Sequence, residues 1–318
     1  MVSTSDSIEL KVSHVYLILG LFAIAMLLAF LYFVLYVETY SHKKLFSREN
    51  LMTPFNISLL VGILSLICYD FGQYALNKFS GGALSQQQQA LIETVIDLCQ
   101  ALWGICYLSF SFVRSSTQLQ FSFPRTFSSI KMAWMLSPVI LLIPAFLALI
   151  KLIRFDAFAA SGHSEFFWYQ ISQILCTILL ATFDTIFLRC FILYLRQTQV
   201  DDSTPIDMRF LIISRYGVVS SGLCVVMIPL WVSNFTTYFT MSPGDENFWP
   251  NYVIITITYS CLMNFVFMIL FAMKISLRIL YDKTGGTDCR PSTLPRVKLP
   301  TKESTVRVSD SKDTIGNN

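Results

Sequence analysis

The sequence predicts an all-α membrane protein, a bundle of seven transmembrane helices, and three observations carry that reading. Seven long apolar runs, at 12–39, 55–79, 88–113, 130–153, 165–195, 209–239 and 251–281, fill most of the 318 residues. Each meets or exceeds the roughly 20 residues that cross about 30 Å of hydrocarbon at ~1.5 Å per residue. Composition agrees: 54% hydrophobic and 14% charged residues, with a mean hydropathy of +0.58, lie well away from the averages of water-soluble domains. Finally, the runs lack the alternation of membrane barrel strands, about ten residues long. With no water in the bilayer core to satisfy peptide groups, continuous helices remain.

The first run is read as an uncleaved anchor, because its apolar stretch from Val15 to Val37 far exceeds the roughly 7–15 residues of a signal-peptide core. Lys11 before it is offset by Asp6 and Glu9, whereas Lys43, Lys44 and Arg48 follow it. That bias puts the N-terminus outside. Residues 1–11 are then a short extracellular segment, 12–281 the transmembrane domain and 282–318 a disordered cytoplasmic tail. The second run is the least secure, since Asp70, Gln73 and Asn77 make one half of it polar; six spans is the competing count. Later connectors fit an outside N-terminus. Arg114, Arg125, Lys131, Arg196 and Arg209 fall on the expected inner side, with Lys283, Arg290, Arg296 and Lys298 in the tail. Connector 240–250 carries Asp245 and Glu246 without Lys or Arg, while Lys151 and Arg154 dissent. The net charge of +3 is therefore an inner-leaflet matter and makes no case for nucleic acid.

The third run begins with the polar stretch Gln86–Gln89 and then carries Glu93 and Asp97, four residues apart and so on one face. Asp70 in the second run reaches a similar depth, as do Trp231 in the sixth and Tyr259 in the seventh, with Asn264 deeper. Charge inside a membrane costs about 2.5–3.5 kcal/mol on insertion scales and marks function by default. If these faces converge, Asp70, Glu93, Asp97, Trp231, Tyr259 and Asn264 line an outer pocket for a small, cationic or hydrogen-bonding ligand. The alternative is that the carboxylates bond to neighbouring helices as structural ties, each worth about 0.6 kcal/mol.

In the fourth run, Pro138 and Pro144 each remove an internal hydrogen bond, as Pro229 does in the sixth. Asp184 in the fifth run is the other deep acid, and Arg189 or Arg215 is its expected partner. Gly217, Ser221 and Gly222 permit close packing low in the sixth run. In the seventh, Lys274 lies at the inner edge, too shallow for a retinal Schiff base.

Seven of the eight cysteines lie in the spans and read as small apolar residues. Cys289, just past the basic end of the last helix, is a candidate for S-palmitoylation. His14, His42 and His163 sit at helix ends or in connectors, so neither a metal site nor a bound cofactor is expected. No Gly-x-Ser-x-Gly elbow occurs, nor an aspartate pair with a Gly-x-Gly-Asp loop. The expected protein is not an enzyme.

With that architecture over residues 12–281, the chain resembles the seven-transmembrane, G-protein-coupled receptor superfamily, particularly its short, divergent invertebrate chemoreceptor-type members. By position, Asp97 matches the third-helix aspartate with which amine receptors pair a ligand ammonium, and Arg114 falls close to the arginine that faces the G protein. The chain departs from the family at Phe112-Val113-Arg114-Ser115, where Asp-Arg-Tyr is usual, and at Pro229-Leu230-Trp231, which reverses Trp-x-Pro. It lacks Asn-Pro-x-x-Tyr around Asn264. The resemblance implies a plasma-membrane chemoreceptor for signal transduction, with a small-molecule ligand and a heterotrimeric G protein as partners. Arg114 and Arg215 are the residues expected to face that G protein. A transporter or a cation or proton channel is the alternative, the acids then forming the path.

Overall fold

The computed structural model describes residues 4–38, 53–79, 84–153, 164–200, 208–240 and 248–283. They form seven helices and, among the described residues, no strand. α1 runs Thr4–Tyr32 and continues as a π-helical stretch, Phe33–Glu38; α2 is Pro54–Phe79, α3 Gln86–Ser122 and α4 Phe127–Ile153. α5 is Ser164–Val200, α6 Met208–Thr240 and α7 Phe248–Lys283. Each contains a stretch long and apolar enough to cross a membrane, so the second run spans and the six-span alternative falls. Their outward faces carry Ile18, Leu28, Val139, Ile153 and Ile254 exposed, as suits solvation by lipid rather than water.

α3 is the central helix. Half of its most apolar stretch is buried, more than in any other span, and it packs on α2, α4 and α5. Its start is fixed by a capping box: the Gln88 amide donates to Ser85 Oγ (3.2 Å) while the Ser85 amide donates to Gln88 Oε1 (2.9 Å). Its end is not where hydropathy places it. The helix continues past Val113 through polar residues to Ser122, because that extension is covered: Ser115, Gln118 and Leu119 are buried and Phe112 stacks on Trp134 of α4 at 4.4 Å. Pro124 then disfavours helix at Phe123.

The prolines of α4 do not break it. Pro138 has no amide hydrogen to give the carbonyl of Trp134, and the neighbouring Ser137 hydroxyl donates to that carbonyl at 2.7 Å. Pro144 likewise frees the carbonyl of Ile140, which accepts from the Cys176 thiol of α5 at 3.4 Å. Each defect is repaired by a side chain, as a lipid-embedded backbone requires. Cys176 is thus a hydrogen-bond donor as well as an apolar filler.

α7 meets its neighbours through large side chains. The Phe271 ring lies edge-on to Phe30 and Phe33 of α1 at 5.8 and 6.0 Å. Phe267 projects over Gly62 of α2, where an added Cβ would fall 2.0 Å from the ring. Gly217 of α6 receives Phe191 of α5 in the same way, at 2.6 Å, whereas Gly222 has open space. The compact unit of helices ends at Arg278.

Candidate functional site

Polar side chains inside the bundle hang mainly from α3, which reaches a different neighbour at each level. Nearest its start, Glu93 pairs with Lys151 of α4 at 3.1 Å, both partly exposed. One turn on, Asp97 is buried and its Oδ1 accepts from the Tyr169 hydroxyl of α5 at 2.7 Å. That hydroxyl in turn accepts from Gln173 Nε2 at 3.1 Å. Gln100 Nε2 donates to the Tyr259 hydroxyl of α7 at 3.2 Å. Deeper, the Tyr107 hydroxyl donates to Asp184 Oδ1 of α5 at 2.5 Å, both residues being buried.

Asp70 is fully buried on α2 and turns to α7, where Asn264 Nδ2 donates to its Oδ2 at 3.1 Å and also to the Ser260 carbonyl. Asp70 Oδ1 and Asn264 Oδ1 have no hydrogen-bond partner among the described residues. The three acids placed at similar depth by the sequence are therefore divided among three partners on α4, α5 and α7. The side chain of Trp231 lies outside the described residues, as do Cys289 and the tail beyond Lys283.

One cavity among the described residues is bounded by α3, α5, α6 and α7. It is partly open, has a volume of about 40 Å³ and is lined by Trp103, Tyr107, Thr177, Asp184, Cys224 and Tyr259, with aliphatic residues completing the wall. Of the sequence candidates, Tyr259 lines it. Trp103 and Tyr107 stack at 5.7 Å with planes 10° apart. Hydropathy hides both residues, since an aromatic ring in an apolar run reads as wall. Asp184 stands out as a deep acid, but its hydroxyl partner lies 77 residues away in the chain.

Below the cavity sits Arg114. It is not at a helix tip: α3 continues beyond it to Ser122, and it is buried. Its Cζ lies 5.5 Å from the Phe110 ring and 4.9 Å from the Phe191 ring, and Nη1 meets Met273 Sδ at 3.7 Å. Such ring contacts suit a planar guanidinium. Nε and Nη2 have no partner among the described residues. Tyr107 and Arg114 are seven residues apart on α3, as Asp184 and Phe191 are on α5, so the two parallel helices keep step over two turns. The expected partners of Asp184 are elsewhere: Arg189 lies over the Phe123 ring at 5.9 Å, and Arg215 is exposed. Lys274 is deeper than an edge residue, buried among the rings of Phe30, Phe33 and Phe55 with Asn56 Oδ1 accepting from it.

Among the described residues no group of three His, Cys, Asp or Glu side chains is arranged to hold a metal ion. No protein-family model matches the chain, and neither a curated protein nor a solved structure matches it significantly. The class defined by fold and site is therefore a seven-span helical membrane protein with a polar-floored internal cavity.

Proposed function

We propose that this protein is a non-enzymatic seven-span receptor of the plasma membrane, with its N-terminus outside, that transduces an external small-molecule signal to a cytosolic G protein. One observation carries the reading: a cavity shared by α3, α5, α6 and α7 whose floor, Tyr107 with Asp184, stands two turns above a buried arginine. Occupying the cavity alters the packing between four helices at once, and whichever arrangement binds better becomes populated. The lower ends of α5 and α6 are the elements such a shift would present to a G protein, with Arg114 and the exposed Arg215 beside them. At about 40 Å³ the cavity is far smaller than the roughly 300–1,000 Å³ of a drug-sized site. A ligand must therefore be small or must widen it.

The test is a small-molecule library applied to cells displaying the protein, with G-protein-dependent second messengers as readout. A saturable response absent from cells without the protein supports the proposal. The alternative, a transporter or channel, is favoured by the α2 and α7 pair Asp70 and Asn264, whose free oxygens are acceptors suited to a cation or proton path. Purified protein that conducts cations across liposomes without a partner would establish that alternative and end the receptor reading.

A further inference from the structure

We infer that the cavity between α3, α5, α6 and α7 takes a small alkylammonium ion that also carries a hydrogen-bond acceptor, with Asp184 as its counter-charge and the indole N–H of Trp103 as its donor. The inference rests on the receptor reading and narrows its ligand to one chemical class.

Asp184 is 2% exposed. Its carboxylate is met by a hydroxyl and a thiol, those of Tyr107 and Cys224. Among the described residues no Lys, Arg or His nitrogen stands within ion-pair distance of it. Arg114 is within electrostatic reach, but only its Nη1 makes a hydrogen-bond contact, with Met273, and it forms no ion pair with Asp184. A buried carboxylate at the wall of a cavity admits a cation and rejects an anion.

The walls select the kind of cation. Trp103, Tyr107 and Tyr259 present aromatic rings, whose faces attract an ammonium group, the more strongly when it is desolvated. The Tyr259 hydroxyl is already bound by Gln100, which holds that ring in place.

Trp103 supplies the second criterion. It is 3% exposed, it lines the cavity, and its Nε1 has no acceptor among the described residues. A buried donor left unmade costs about 1–3 kcal/mol, which an acceptor on the ligand recovers. Trp103 and Tyr107 are one turn apart on α3 and their rings stack at 5.7 Å, so the ligand carries its acceptor and its charge on one short chain. The volume of about 40 Å³ holds about three water-sized spheres, which limits the charged head to a few heavy atoms.

Thermal unfolding and intrinsic fluorescence titrations on the full-length protein in lipid nanodiscs test this with choline and ethanolamine. The uncharged carbon isostere of choline, 3,3-dimethylbutan-1-ol, is the control for charge. At least one amine is expected to bind saturably and raise the unfolding midpoint, while the isostere binds about tenfold or more weakly. Asp184→Asn should cost a similar factor, and Asp282→Asn, at an exposed carboxylate at the end of α7, should leave affinity within about twofold. Trp103→Phe should weaken choline by about fivefold and leave tetramethylammonium, which has no acceptor, unchanged.

Absence of saturation by both amines below about 100 mM, or equal binding of the isostere, overturns the inference. Should Asp184→Asn fail to fold, the isostere comparison on the unaltered protein still decides. A neutral or anionic agonist found in the signalling screen, with no amine binding, sinks this inference and leaves the receptor reading standing.

Discussion

α4 and α6 both carry proline inside a membrane-spanning helix, and they treat it in opposite ways. In α4, the two carbonyls that Pro138 and Pro144 leave without an amide are taken by Ser137 and by Cys176. The second of these ties α4 to α5. In α6, Pro229 leaves the carbonyl of Val225, and no side chain among the described residues donates to it. Closest backbone packing by α6 is on α5, through the seat of Phe191 on Gly217. A proline repaired by a neighbour is a fixed bend; one without repair is a place where a helix can swing. The contrast predicts α4 as the stiffer helix and α6, which contributes Cys224 and Met227 to the cavity wall, as the one freer to bend.

The largest effect should come from removing the seat itself. Gly217→Leu drives a side chain into the Phe191 ring, which an added Cβ alone would approach to 2.6 Å. The expected loss is about 1–3 kcal/mol in unfolding free energy, with α6 splayed from α5 in distance measurements between spin labels. A stable variant with unchanged distances would show that α6 is not located by this contact. Next comes Cys176→Val, which leaves the Ile140 carbonyl without its donor at an expected cost of about 1 kcal/mol, whereas Cys176→Ser should be near neutral. If valine and serine behave alike, the thiol contributes volume and not a hydrogen bond.

Ser137→Ala should cost less, about 0.6 kcal/mol, read as a small drop in thermal midpoint. Smallest in stability is Pro229→Ala, expected to gain a few tenths of a kcal/mol by restoring an amide donor, while narrowing the range of α5 to α6 distances. A loss above about 1 kcal/mol would place Pro229 with the prolines of α4 and erase the contrast.

The spans were legible because lipid demands continuous apolar length, and hydropathy measures that directly. The end of α3 was not, since residues 114–122 are polar and helical only because α4 and other neighbours cover them. The same limit governs the site. Asp70 and Asn264 stand out singly as polar groups in apolar runs, yet their pairing across 194 residues is a property of packing. Ser137 beside Pro138 is a local signal that sequence can offer; Cys176 as the donor for Ile140, 36 residues distant, is not. Tyr107 and Trp103 escaped because their polar atoms are small handles on large apolar bodies.

The ring of Phe267 over Gly62 acts as a peg in a notch. With the notch only one residue long, sliding α7 lengthwise by a helical turn, about 5.4 Å, would push the ring against the side chains of Leu59 or Leu66, both wholly buried. Piston motion of α7 against α2 is thereby blocked, and rolling about the peg is the displacement left to it.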